Sequence, residues 1–138
     1  MFEYIKQLES TNTKFYPIDI SEISNAEERM GFEFPESLKA FYKEIGYGFF
    51  GSNKNFINRL MSPEDIADYV CGADIYEYVD KSFYGENELV FFHISDEDFL
   101  TIVYKGENKG NILYFGDKVA DNFQEFIKKI INIPDYYI

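Results

Sequence analysis

Three apolar runs, Leu89–Ile94, Phe99–Tyr104 and Asn111–Phe115, stand too close together to be joined in more than one way. They are rich in Leu, Val, Ile, Phe and Tyr, and turn-forming residues bound them. The first link is the acidic Ser95-Asp96-Glu97-Asp98; the second runs from Lys105 to Gly110 and carries two glycines. Parallel neighbours need a crossover of about a dozen residues or more, so links this short predict an antiparallel meander.

The remainder reads as helices that cover such a sheet. A short opening helix puts Phe2, Ile5 and Leu8 on one side and ends near Ser10-Thr11-Asn12. Ser24-Asn25-Ala26-Glu27 has the capping-box pattern and is expected to open or reinforce a helix that Gly31 ends. Pro35 suits the first turn of the next helix, where Leu38, Phe41, Tyr42 and Ile45 repeat at helical spacing before Gly46. The glycines at 46, 48 and 51 read as turn and strand-entry residues, and Phe56 to Met61 as extended. Ser62-Pro63-Glu64-Asp65 starts another helix, with Ser as N-cap and two acids in the first turn. Ile66, Tyr69, Val70 and Ala73 continue its apolar face, whereas Asp74 to Glu88 fits a helix or an irregular segment equally. Phe123, Phe126, Ile127, Ile130 and Ile131 mark a closing amphipathic helix. The order α-α-α-β-α-β-β-β-α predicts an α+β fold, with helices packed on a central antiparallel sheet. With 138 residues, 46% of them hydrophobic and 20% aromatic, the chain is expected to form one domain over residues 1–138.

The charge is concentrated. Of 25 acids and 13 bases, residues 1–60 hold nine and seven, and residues 101–138 hold five of each. Residues 61–100 hold eleven acids against Lys81 alone, so one segment carries −10 of the net −12. Only Arg29 and Arg59 could supply the forks that clamp phosphates and read bases, which argues against nucleic acid as a partner. No apolar run approaches the roughly 20 residues of a membrane span, and the N-terminus lacks a signal pattern. With Cys71 as the single cysteine, a cytoplasmic location is expected and no disulfide framework can form.

Catalytic chemistry has little to draw on. His93 is the one histidine, and it sits inside a strand run, where a ring satisfied by a neighbour is expected rather than a general base. Cys71, just past an apolar helical stripe, is expected to be a small packed residue. Asp96-Glu97-Asp98 lacks the glycine that a calcium loop needs at its sixth position, where Thr101 stands, and reads as a solvated turn. Phosphate-loop, dinucleotide and zinc-protease signatures are missing. No catalytic residue, metal or cofactor is expected.

The acidic segment is the candidate site. Glu64, Asp65, Asp68, Asp74, Glu77, Asp80, Glu86, Asp96, Glu97 and Asp98 are interleaved with Tyr69, Tyr76 and Tyr78. Tyrosine supplies rigid amphipathic contact area, and carboxylates supply long-range attraction to a basic protein partner.

The stretch from Ile23 through Glu27-Glu28-Arg29-Met30-Gly31 and Phe34-Pro35-Glu36 to Tyr42 resembles the N-terminal signature of the SUKH superfamily of Smi/Knr-like domains. Asn58-Arg59-Leu60 leading into Ser62-Pro63-Glu64, the strands from Leu89 and Phe99, and the helix at Phe123-Gln124-Glu125-Phe126 fit too. Met30 and Phe34 replace the usual leucines, and Gly46-Tyr47-Gly48 stands where the family often has Asn-Gly-Gly. The resemblance implies an α+β fold without shared catalytic residues, in which Gly31 and Pro35 are fold markers. It also implies an immunity protein that neutralises a cognate polymorphic or contact-dependent toxin, here one with a basic nuclease domain. The alternative it carries is a non-enzymatic regulatory or scaffold module.

Overall fold

Seven strands lie side by side in the order in which they occur, each antiparallel to the next, in a computed structural model that covers residues 1–138. They are β1 (Lys14–Tyr16), β2 (Tyr47–Phe49), β3 (Arg59–Leu60), β4 (Glu88–Ser95), β5 (Asp98–Val103), β6 (Ile112–Tyr114) and β7 (Asp117–Ala120). The predicted three-strand meander is β4–β5–β6. The sheet extends beyond it on both sides through strands of two to four residues, too short to leave a periodic signal. The β1–β2 pair explains the glycine-bracketed stretch. A Cβ on Gly46 would lie 1.9 Å from the Tyr16 carbonyl oxygen, and one on Gly48 would lie 2.2 Å from that of Lys14. Only glycine permits this approach, and it also permits φ 112° and 154° at the two positions.

The opening helix is a 3-10 turn, Glu3–Leu8, that buries Phe2 and Ile5 but leaves Leu8 exposed. Helix α1 (Ile20–Met30) starts five residues earlier than a capping box at Ser24 suggests, because the Asp19 carboxylate accepts from the Ser21 amide at 2.9 Å. Ser24 lies mid-helix and donates to the Ser21 carbonyl, while Glu27 has tertiary partners instead of a capping role. Its carboxylate accepts the Phe34 amide at 2.8 Å and pairs with Lys39 at 3.1 Å, fastening the end of α1 to α2 (Glu36–Glu44). Gly31 ends α1 at φ 85°, as expected, and Pro35 is the N-cap of α2 rather than a residue of its first turn. Ser62 caps α3 (Pro63–Val70) by accepting the Asp65 amide, and Asn122 caps α4 (Phe123–Asn132) by accepting that of Glu125. Ile66 and Tyr69 are buried on α3, but Val70 is exposed. The ambiguous stretch after α3 is irregular, with 3-10 turns at Asp74–Tyr76 and Lys81–Phe83.

Strands β4 and β5 of the meander are buried on both faces. Phe92 lies opposite Leu60 and Leu100 and meets Phe126 of α4 and Phe50. Phe41 of α2 joins that cluster through Phe50 and Phe123, and all these rings are fully buried. The other face carries the cross-strand row Arg59, His93 and Phe99, and against it pack Tyr69, Tyr76 and Tyr84. The acidic segment therefore lies over one face of the sheet, opposite α4.

One buried polar side chain binds distant parts of the chain together. Asn58, in the left-handed region at φ 48°, is fully buried. Its amide donates to the Phe50 carbonyl at 3.2 Å and to the Pro134 carbonyl at 2.8 Å, and its oxygen accepts the Tyr137 hydroxyl.

Candidate partner-binding face

The segment is held to the sheet from beneath by aromatic rings. Tyr69, Tyr76 and Tyr84 surround Phe99 with centroids 5.7, 6.5 and 6.4 Å away. Tyr69 and Tyr76 are each only 7% exposed, so they support the face instead of forming its surface. Burial pushes both phenols up, and the Tyr69 hydroxyl has no hydrogen-bond partner. Above them, three side chains converge on the tip of the β4–β5 hairpin. The Tyr78 hydroxyl donates to the Asp96 carbonyl at 3.2 Å, and the Tyr84 hydroxyl to that of Glu97 at 3.3 Å. His93 Nε2 meets the Asp96 carbonyl at 2.9 Å, which places the ring proton on that nitrogen. The imidazole also stacks on Phe99 at 4.5 Å, and desolvation lowers its pKa. It is the neighbour-satisfied strand histidine expected from its position. Burial pushes the Tyr84 phenol up to about 12.

The carboxylates fall into groups that their order in the chain conceals. Asp65 pairs with Arg59 and Asp68 with Arg29, each at 2.7 Å, so both are engaged within the molecule. Glu64 faces a separate cleft beside Glu22, Asn25 and Arg29. Glu86 lines another with Glu88, Lys105 and Glu107. Asp74, Glu77 and Asp96 are exposed. Asp80, Glu97 and Asp98 come together around a cleft of about 360 Å³ whose other walls are Phe83 and Phe115. The Asp80 carboxylate accepts the Ser82 hydroxyl at 2.6 Å and the Ser82 amide at 3.0 Å, and these bonds lower its pKa. Lys81, the segment's one base, is turned inward. Its Nζ donates to the Tyr69 carbonyl at 2.6 Å and lies 4.7 Å from that ring's centroid.

Cys71 and Phe115 also stand differently from their sequence-based expectation. Cys71 is exposed rather than packed, because α3 ends there and its Sγ reaches only the Arg29 carbonyl, at 3.5 Å. Phe115, read as the end of a strand, occupies the β6–β7 turn and lines the cleft. Tyr114-Phe115-Gly116-Asp117 holds the available signal, an aromatic beside a turn glycine. The Asp96-Glu97 pair is the expected turn, and no group of three or more His, Cys, Asp or Glu could hold a metal ion. No helix is long and apolar enough to cross a membrane.

The sequence pattern behind this fold matches the model of the SMI1/KNR4 family (SUKH-1) over residues 17–129. The chain belongs to that family. Among curated relatives, immunity protein YxxD of Bacillus subtilis (strain 168) is 31% identical over 141 residues, covering 99% of this chain and 95% of that protein. In this SUKH-1 chain the signature from Ile23 to Tyr42 is the α1–α2 corner, where Gly31, Glu27 and Pro35 set the geometry. Gly31, Glu27 and Pro35 build the fold, and the cleft of Asp80, Glu97 and Asp98 lies on other elements.

Proposed function

We propose that this chain is a cytoplasmic immunity protein that binds and neutralises a cognate polymorphic or contact-dependent toxin. The observation that carries the reading is the end-to-end similarity to a protein named as an immunity protein, within a family that the chain shares. The charge adds the class of target. A nuclease holds phosphates with a cationic surface, and a segment at −10 whose single base is turned inward complements such a surface. In this proposal Glu64, Asp74, Glu77, Asp80, Glu86, Asp96, Glu97, Asp98 and Tyr78 form the contact face. Tyr69 and Tyr76 shape it from below, and Asp65 and Asp68 anchor it through Arg59 and Arg29. Inhibition is by occupation, with no catalytic step.

The test is co-expression in a bacterial host with the proposed toxin partner, sought first among the genes adjacent to this one. Growth rescue and co-elution of the two chains support the proposal. Growth arrest despite abundant folded protein, with no complex on size exclusion, rejects it.

A further inference from the structure

Two large aromatic side chains lie on the acidic face without a structural reason to be there. Phe83 is 64% exposed and Phe115 is 41% exposed. Phe115 and Gly116 form the two-residue β6–β7 turn with φ 48° and 87°, a conformation that favours Asn, Asp or Gly. For a bulky residue this conformation is strained, and an exposed ring does not offset the strain by burial. The rings are nevertheless held in place: Phe115 meets Phe83 edge-on at 5.9 Å and stacks on Tyr84 at 5.8 Å. Exposed aromatics that pack on one another in this way mark interaction surfaces.

Charge identifies the occupant. Asp80, Glu97 and Asp98 border the two rings, and none of them has an ion-pair partner in the molecule. The nearby bases are committed elsewhere: Arg29 to Asp68, Arg59 to Asp65 and Lys81 to Tyr69. A guanidinium stacks on aromatic faces and forks onto carboxylates, whereas an ammonium acts as a point charge. We infer that this cleft receives an arginine side chain of the bound protein partner and forms the anchor of the interface. The inference rests on the partner-binding reading of the acidic face and names its central contact.

The probes are two blocked tripeptides, acetyl-Gly-Arg-Gly-amide and its lysine counterpart, titrated into isotope-labelled protein and followed by NMR. The arginine peptide is expected to give saturable shifts confined to residues 80–84, 96–99 and 114–116. Its affinity should fall about tenfold or more in Phe115→Asn, which keeps a turn-compatible residue, and in Phe83→Ser. The lysine peptide should bind several-fold more weakly. Equal response to both peptides, shifts spread over all acidic surfaces, or no effect of either substitution would overturn the inference. So would a concentration-dependent dimer on sedimentation that Phe115→Asn abolishes, since the occupant would then be a second copy of this chain. The peptides need no toxin, so the two readings fail separately. A toxin complex insensitive to Phe115→Asn removes the anchor alone, and an arginine-binding protein with no toxin complex removes the immunity reading alone.

Discussion

Replacing Asn58 by Ala should be among the most damaging single changes in the chain. The carboxamide serves the Phe50 carbonyl, the Pro134 carbonyl and the Tyr137 hydroxyl, linking the β2–β3 connection to the segment after α4. Each group left unpaired costs about 1 kcal/mol or more where it is buried. Alanine at φ 48° adds about 1 kcal/mol that asparagine, at home in the left-handed region, avoids. The total is about 4 kcal/mol, against roughly 7–20 kcal/mol for a chain of 138 residues at typical stability per residue. Urea unfolding followed by the fluorescence of the twelve tyrosines, with no tryptophan to interfere, measures the loss directly. The melting temperature should fall by about 10–15 °C. Tyr137→Phe alone should cost about 1–2 kcal/mol, and the double variant should reveal a coupling of about 1 kcal/mol. A loss below about 1 kcal/mol for Asn58→Ala, or a strictly additive cycle, would refute the hub.

Three further outcomes are expected. His93 has a folded-state pKa lowered by desolvation, so as pH falls below about 6.5 the unfolded chain takes up this proton first. Its contribution to stability is therefore complete above that pH and declines toward the folded-state pKa; urea midpoints between pH 7.5 and 5.5 should fall less in His93→Gln than in the parent. Gly46→Ala should cost more than about 3 kcal/mol or prevent folding, because the added Cβ meets the Tyr16 carbonyl oxygen at 1.9 Å and φ is 112°; a near-native midpoint would contradict the β1–β2 geometry. Cys71 should react fully with a thiol reagent in the folded protein, without urea, and protection of the thiol would contradict its exposure.

The parts of the fold legible in sequence are those in which one element carries its own signal. Strands β4 and β5 are buried on both faces and so read as unbroken apolar runs, and α3 announces itself by Ser62 and Pro63. The start of α1 was obscured because Ser24 and Glu27 have capping-box spacing while Glu27 is committed to Phe34 and Lys39 across a loop. Strand β2 is hidden by Gly48, whose missing side chain is a requirement of β1 rather than of its own segment. The same limit governs the candidate face. The concentration of charge between residues 61 and 100 is plain, but its division is not. Arg29 and Arg59, which engage Asp68 and Asp65, come from outside the segment, and Phe115 reaches the cleft from another hairpin.

Association kinetics with the proposed toxin partner test the central claim most directly. Electrostatic steering by the acidic face predicts an on-rate that falls by about tenfold or more between low and physiological ionic strength. It also predicts that a variant carrying Asp74→Lys, Glu77→Lys, Glu86→Lys and Glu97→Lys, none of them ion-paired within the molecule, loses both the fast rate and its salt dependence. An on-rate indifferent to salt and unchanged in that variant would contradict the account.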